Sequence, residues 1–143
     1  MILQTIKILL VEDDDIDAEA VRRGFAKAHL DCTIHRARNG IQALELLERS
    51  DSPFRRGEFI ILLDLKMPGM NGLEFLRNLR RHDELKQSIV FVLTTSNDDQ
   101  DRGEAYAEGI SGYVTKSHAG VEFRDLIGML DHYAQIVEFP KCG

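Results

Sequence analysis

The chain has few residues of the kinds that staple or punctuate a fold. Its 143 residues include no tryptophan, three prolines and two cysteines. Cys32 and Cys142 have neither metal-ligand nor redox spacing, so free thiols in a cytoplasmic protein are expected. The five histidines, His29, His35, His82, His118 and His132, form no HxxxH or HExxH pair, which argues against a zinc site. No apolar run approaches the roughly 20 residues that span a bilayer. The start, Met1 to Lys7, lacks the charged region and cleavage site of a signal peptide and leads straight into a strand. Cationic residues are outnumbered: 18 Lys and Arg stand against 24 Asp and Glu, a net charge of −6. That balance argues against a broad nucleic-acid or anionic-membrane surface. There is no repeat, low-complexity segment or linker, so one domain is expected over 1–143, with its core at about 6–135 and a C-terminal extension at 136–143.

What the chain does have is alternation. Ile6 to Val11, Phe59 to Asp64 and Ile89 to Leu93 are short apolar runs that predict buried strands, and Cys32–Arg36 and Gly112–Thr115 predict two shorter ones. Between them lie segments of helical spacing. Ile16, Ala20, Val21, Phe25 and Ala28 mark the first; Ile41, Leu44, Leu46 and Leu47 the second; Leu73, Phe75, Leu76 and Leu79 the third. Asp98 to Ala107 predicts a polar fourth helix, and Val121, Phe123, Leu126, Ile127, Leu130, Ala134 and Val137 a long closing one, with Phe139–Gly143 a non-helical tail. Ser50 to Gly57 predicts a polar loop. Five β-α units in alternation imply an α/β fold, a parallel sheet with helices on both faces and right-handed crossovers. Continuous apolar strands fit a sheet covered on both sides.

In such a sheet all carboxyl ends of the strands share one edge. That edge collects Glu12–Asp15 after the first strand, Asp64 after the third, Thr94–Ser96 after the fourth and Lys116 after the fifth. Crowded carboxylates repel, and a hard cation such as Mg²⁺ relieves that. A carboxylate can attack phosphorus, and a metal, a hydroxyl and an ammonium can neutralise the transferred group. Single residues here have plainer readings. Asp14 or Asp15 is expected to cap the first helix, Thr95 or Ser96 to serve as ordinary turn residues, and Tyr113 to pack. Tyr106, Phe123 and Ile127 would be core or interface. Arg55–Arg56 and Arg80–Arg81 would be solvated charges.

These segments together resemble the response-regulator receiver domain of two-component signalling, from about Ile6 to Gln135. The residues are Ile8–Asp14 as the strand-one signature, Leu63–Gly72 around the acceptor, Leu93–Ser96 and Gly112–Lys116. The resemblance implies a flavodoxin-like, doubly wound five-stranded parallel sheet of order 2-1-3-4-5 with five helices. It implies phosphoryl acceptance on Asp64 from a histidine kinase, with Thr94 and Lys116 assisting. Mg²⁺ would be held by Asp13, Asp64 and the backbone carbonyl of Lys66, with Glu12 acting through water. Thr94 and Tyr113 would form the switch, read out on the face of helix four, strand five and helix five.

Two departures from the family pattern stand out: Ser117 follows Lys116 where proline is usual, and the segment Ser50–Glu58 is longer than in a minimal receiver. With Leu-Thr-Thr-Ser, Thr-Lys-Ser and the tail Val137–Pro140, the chain resembles the stand-alone receivers that partner phytochrome-type sensor kinases. These are often homodimers through the last helices. No output domain is expected after the fifth helix. The rival readings are a receiver-fold binding module that works without phosphorylation and an Asp-based phosphotransferase enzyme. The latter would place an acid two residues after Asp64, where Lys66 stands. A flavin carrier of the same topology would find its phosphate repelled by Glu12–Asp15.

Overall fold

The structure, a computed structural model, describes residues 6–30, 32–55 and 58–140. Met1–Thr5, Asp31, Arg56, Gly57 and the end of the tail with Cys142 lie outside the described residues, and the expectations made for them stop there. In chain order the elements are β1 (Lys7–Val11), α1 (Asp15–Lys27), β2 (Ile34–Ala37), α2 (Gly40–Glu48) and β3 (Phe59–Leu63). Then come α3 (Gly72–Arg81), β4 (Ile89–Thr94), α4 (Asp99–Ala107), β5 (Gly112–Thr115) and α5 (Arg124–Ile136), with 3₁₀ turns at Lys116–His118 and Val121–Phe123. All strand pairs are parallel and the sheet runs β2-β1-β3-β4-β5, the order that the resemblance implied.

Side chains on a strand alternate between faces, so the apolar runs feed two cores. Leu9, Val11, Ile61, Leu63, Val90 and Val92 pack with Phe75, Leu76 and Leu79 of α3 and with residues of α2 and α4. Ile8, Leu10, Ile60, Leu62, Phe91 and Leu93 pack under Val21 and Phe25 of α1 and Leu126, Ile127 and Leu130 of α5. Burying an aliphatic side chain of this size stabilises by about 1.5–3 kcal/mol.

Helical spacing overstated what is buried. Ile16 and Val121 are apolar but 77% and 74% exposed. The closing helix begins at Arg124, not Val121, because Glu122 and Phe123 adopt left-handed φ of 50° and 60°. Side chains pay for that conformation with steric strain. It persists here because Phe123 is buried and Glu122 pairs with Arg23 (3.0 Å) and Lys27 of α1. The loop after α2 is not simply polar either. Phe54 is fully buried, edge-on to His35 and tilted against Phe59.

Two arginines read as solvated are structural. Arg55 donates to the carbonyls of Glu48 (2.7 Å) and Arg49 (2.9 Å) at the end of α2 and pairs with Glu84 at 2.6 Å. Arg80 donates to four carbonyls, those of Glu108 (2.6 Å), Lys86 (2.8 Å), Ser88 (2.9 Å) and Gly109 (3.0 Å). In the tail, Phe139 lies edge-on to Tyr133, which is itself edge-on to Phe91.

Gly24 lets α1 sit against the Val121–Phe123 turn, since an added Cβ would strike the Glu122 carbonyl and Ile127 Cδ1. Gly24→Ala should therefore destabilise by about 1–3 kcal/mol, although alanine in a helix ordinarily gains up to about 1 kcal/mol. Gly103→Ala and Gly128→Ala, where a Cβ meets nothing within 4 Å, should each stabilise by about 0.5–1 kcal/mol. Urea midpoints check both signs, and a gain at Gly24 would contradict the packing described.

Candidate functional site

The site is built at the carboxyl edge by strand register. Val11 pairs with Leu63, and Leu63 with Val92. The next residues, Glu12 and Asp64, leave adjacent strands side by side, with Asp64 N donating to Val11 O at 3.0 Å. Both carboxylates are buried, Glu12 at 2% and Asp64 at 6% exposure. Gly72 starts α3 directly against the backbone of Asp64 and Leu65; a Cβ there would stand 2.6 Å from the Asp64 carbonyl oxygen.

Asp64 Oδ1 accepts from Thr94 Oγ1 at 2.8 Å and from the Lys66 backbone N–H at 3.1 Å. Its Oδ2 lies 3.4 Å from Lys116 Nζ. Lys116, with a side chain only 11% exposed, also reaches Glu12 Oε1 at 2.7 Å and Asp17 Oδ2 at 2.6 Å. One oxygen from each of Glu12, Asp13 and Asp64 lies within 4.8 Å of the others, a group that could hold a metal ion. The donors are all oxygen, which suits a hard divalent cation rather than a soft one. Burial pushes the Glu12 carboxyl up to about 8, the charge on Asp64 adding to the effect and Lys116 opposing it. A divalent ion among these oxygens would favour the charged form. Burial works against the charge on Lys116, but its bonds to Asp17 and Glu12 outweigh that and raise its pKa.

Asp14 caps α1, accepting from Ile16 N and Asp17 N, while Asp15 turns away to Arg36 (2.7 Å) and Arg38 (2.8 Å). Thr95 is exposed, as expected of a turn residue. Tyr113 is half-buried; its hydroxyl donates to the Ser96 carbonyl at 3.0 Å, and the Arg102 guanidinium stands 5.9 Å from its ring centre. Phe123 and Ile127 are core, and Tyr106 is half exposed. Lys116–His118 forms a 3₁₀ turn with Ser117 exposed, so the position where proline is usual carries ordinary turn geometry.

Three contributors were missed. Asp17 sits in the first turn of α1, three residues after the capping Asp14, and the density of acids there could have flagged it. Ser96 and Asp101 connect the site to α4. Ser96 N donates to Thr94 Oγ1 (3.3 Å), Ser96 Oγ donates to Asp101 (2.7 Å), and Lys66 Nζ pairs with Asp101 (3.2 Å). The bonds close a ring from Asp64 through Thr94, Ser96, Asp101 and Lys66 back to Asp64.

Residues 8–128 match the model of the response regulator receiver domain family. The chain is 34% identical over 119 residues to the probable methanogenesis regulatory protein FilR2 of Methanothrix harundinacea, covering 83% of this chain and 75% of that one. It is 32% identical over 130 residues to the response regulator Rcp1 of Synechocystis, covering 86% and 82%. A crystal structure of the Mn²⁺-bound form of response regulator Rcp1 superposes with a TM-score of 0.78 at 28% identity, covering 94% of this chain and 99% of that one. The phosphorylated cyanobacterial phytochrome response regulator RcpA superposes with a TM-score of 0.82 at 25% identity, covering 95% and 99%.

The Ser96 hydroxyl holds the Asp101 carboxyl below the usual carboxylate range, with Lys66 contributing less. A lowered carboxyl favours the folded state above the ordinary carboxylate pKa and loses that contribution as pH falls through its own. Ser96→Ala should move the titration of Asp101 upward, read by carboxyl ¹³C shifts. An unmoved titration would mean that the hydroxyl does not carry the effect.

Proposed function

Because the chain belongs to the response regulator receiver domain family, we propose that it works as a response regulator that accepts a phosphoryl group on Asp64 from a histidine kinase. The observation that carries this reading is Asp64 itself. It is a buried carboxylate at the strand edge, bonded by a hydroxyl and approached by an ammonium, beside two further carboxylates. Oδ1 already accepts two hydrogen bonds, which leaves the more lightly bonded Oδ2 to attack phosphorus. The O–P bond forms as the P–N bond to the donor histidine breaks, and the leaving imidazole keeps the electron pair and is protonated. Glu12, Asp13, Asp64 and the carbonyl of Lys66 are the residues that would hold Mg²⁺, Glu12 through water. Bound there, the ion would offset the charge on the transferred oxygens.

Thr94 then turns its hydroxyl from Asp64 to the phosphoryl group, and Tyr113 moves with it, since Thr94 and Tyr113 are both bonded to Ser96. The output is a protein contact on the face of α4, β5 and α5. Exposed Tyr106, Met129 and Ile136 on those helices support a homodimer there, together with the tail. Likeness to phytochrome response regulators supports a bacteriophytochrome-type kinase as the donor. Self-dephosphorylation would be slow chemistry in the service of signalling, in a cytoplasmic protein. No helix among the described residues is long and apolar enough to cross a membrane.

Incubation with acetyl phosphate and Mg²⁺ should add one labile phosphoryl group by mass, and Asp64→Asn should add none with its fold retained. Label kept by the variant would move the acceptor elsewhere. Asp13→Asn should weaken Mg²⁺ binding by about tenfold or more, the usual scale for a lost charged partner. An unchanged metal titration would remove Asp13 from the ligand set.

A further inference from the structure

Asp17 is the nearest partner of Lys116, at 2.6 Å from Nζ, against 2.7 Å for Glu12 and 3.4 Å for Asp64. Nζ donates to Asp17 Oδ2 and, at longer range, to Asp64 Oδ2, and it ion-pairs with Glu12 Oε1. Its two short contacts hold the cation on the α1 side of the site. The contact to Asp64 Oδ2 is given up when that oxygen bonds phosphorus, but to close on the new anionic oxygens the ammonium must move away from one of its two short partners.

The two close partners differ in what release would cost. Glu12 is buried, with a side chain 3% exposed, and it also accepts from the Asp14 backbone N–H at 3.3 Å. Left without Lys116, this buried side chain would have no water to take the place of the ammonium. The Asp17 side chain is 29% exposed on the first turn of α1, where water can replace the ammonium. Neither neighbouring segment depends on the bond. The start of α1 is held by the Asp14 cap and by Asp15 with Arg36 and Arg38. The turn after β5 is held by Thr115 Oγ1 with His118 Nδ1 at 2.7 Å and Ser117 Oγ at 3.3 Å.

We propose that Asp17 is a positioning residue that restrains Lys116 on the α1 side of the site, and that Lys116 exchanges Asp17 for the phosphoryl oxygens when Asp64 is phosphorylated. The inference rests on the reading of Asp64 as phosphoryl acceptor. Asp17 touches no reacting atom. It competes with the transferred group for the ammonium and so slows transfer. The exchange also undoes the tie between α1 and the turn after β5, so that phosphorylation frees α1 from that turn.

The test is the rate of acetyl-phosphate labelling in Mg²⁺, followed by intact mass, for wild type, Asp17→Asn, Asp17→Ser and Asp17→Glu, with a urea midpoint for each. Both uncharged variants should label about fivefold faster, the scale of one partly exposed ion pair. Asp17→Glu should keep the wild-type rate. Serine is tolerated in a first helical turn and serves if the amide variant folds poorly. A residue with only a structural role would lower rate and midpoint together. A folded uncharged variant that labels at or below the wild-type rate overturns the restraint while leaving Asp64 as acceptor. A wild type that takes up no phosphoryl group overturns both readings.

Discussion

Two carboxylates that the sheet forces together are the constraint around which the rest is arranged. β1 and β3 are neighbours in register, so Glu12 and Asp64 must emerge beside each other, out of water. Like charges so placed repel strongly unless cations and donors surround them. Thr94 and the Lys66 amide serve Asp64, and Lys116 serves both acids. Lys116 follows β5, which β4 separates from β3, and its four-carbon stem spans that strand. A shorter cationic side chain would leave the pair without its counter-charge.

The strands and the core of the site were legible because they obey short-range rules. An apolar run of five or six residues between turn signals reads as a buried strand, and a parallel sheet puts every strand end on one edge. Glu12, Asp64, Thr94 and Lys116 do meet there. What periodicity could not convey is where a helix is interrupted by its neighbours. Val121 to Phe123 have helical spacing, but packing of Gly24 against the Glu122 backbone and the pull of Arg23 and Lys27 bend them out of the helix. Ile16 has the right spacing and the wrong face. Phe54 hides a core residue in a stretch that composition marks as loop. The partners of Asp17 and Arg80 are 99 and 28 or more residues of folding away for their decisive bonds to Lys116 and Glu108, distances that no local pattern encodes.

The strand-edge acids, hydroxyl and lysine are joined to α4 by a chain of side chains. Thr94 does not act alone: its hydroxyl accepts from Ser96, whose own hydroxyl anchors Asp101, whose carboxylate returns to Lys66 next to Asp64. Tyr113 is tied to the same serine through its carbonyl. Asp64 is thus connected to the first turn of α4 through charged and hydrogen-bonded groups with discrete partners, the kind of contact that has alternatives rather than a continuum of positions.

The opposite end of α4 has the reverse character. Four carbonyls from the α3–β4 connection and the end of α4 converge on the one guanidinium of Arg80. α4 is thus fixed at Glu108 and Gly109 by one cation shared among four acceptors, and nearer its start by separate pairwise contacts, Asp101 with Lys66 and Ser96 and Glu104 with Arg77. Over its nine residues, about 13 Å of rise, any rotation about the Arg80 end would be largest at the end next to Asp64. The lever arm of α4 is therefore longest where the carboxylates meet.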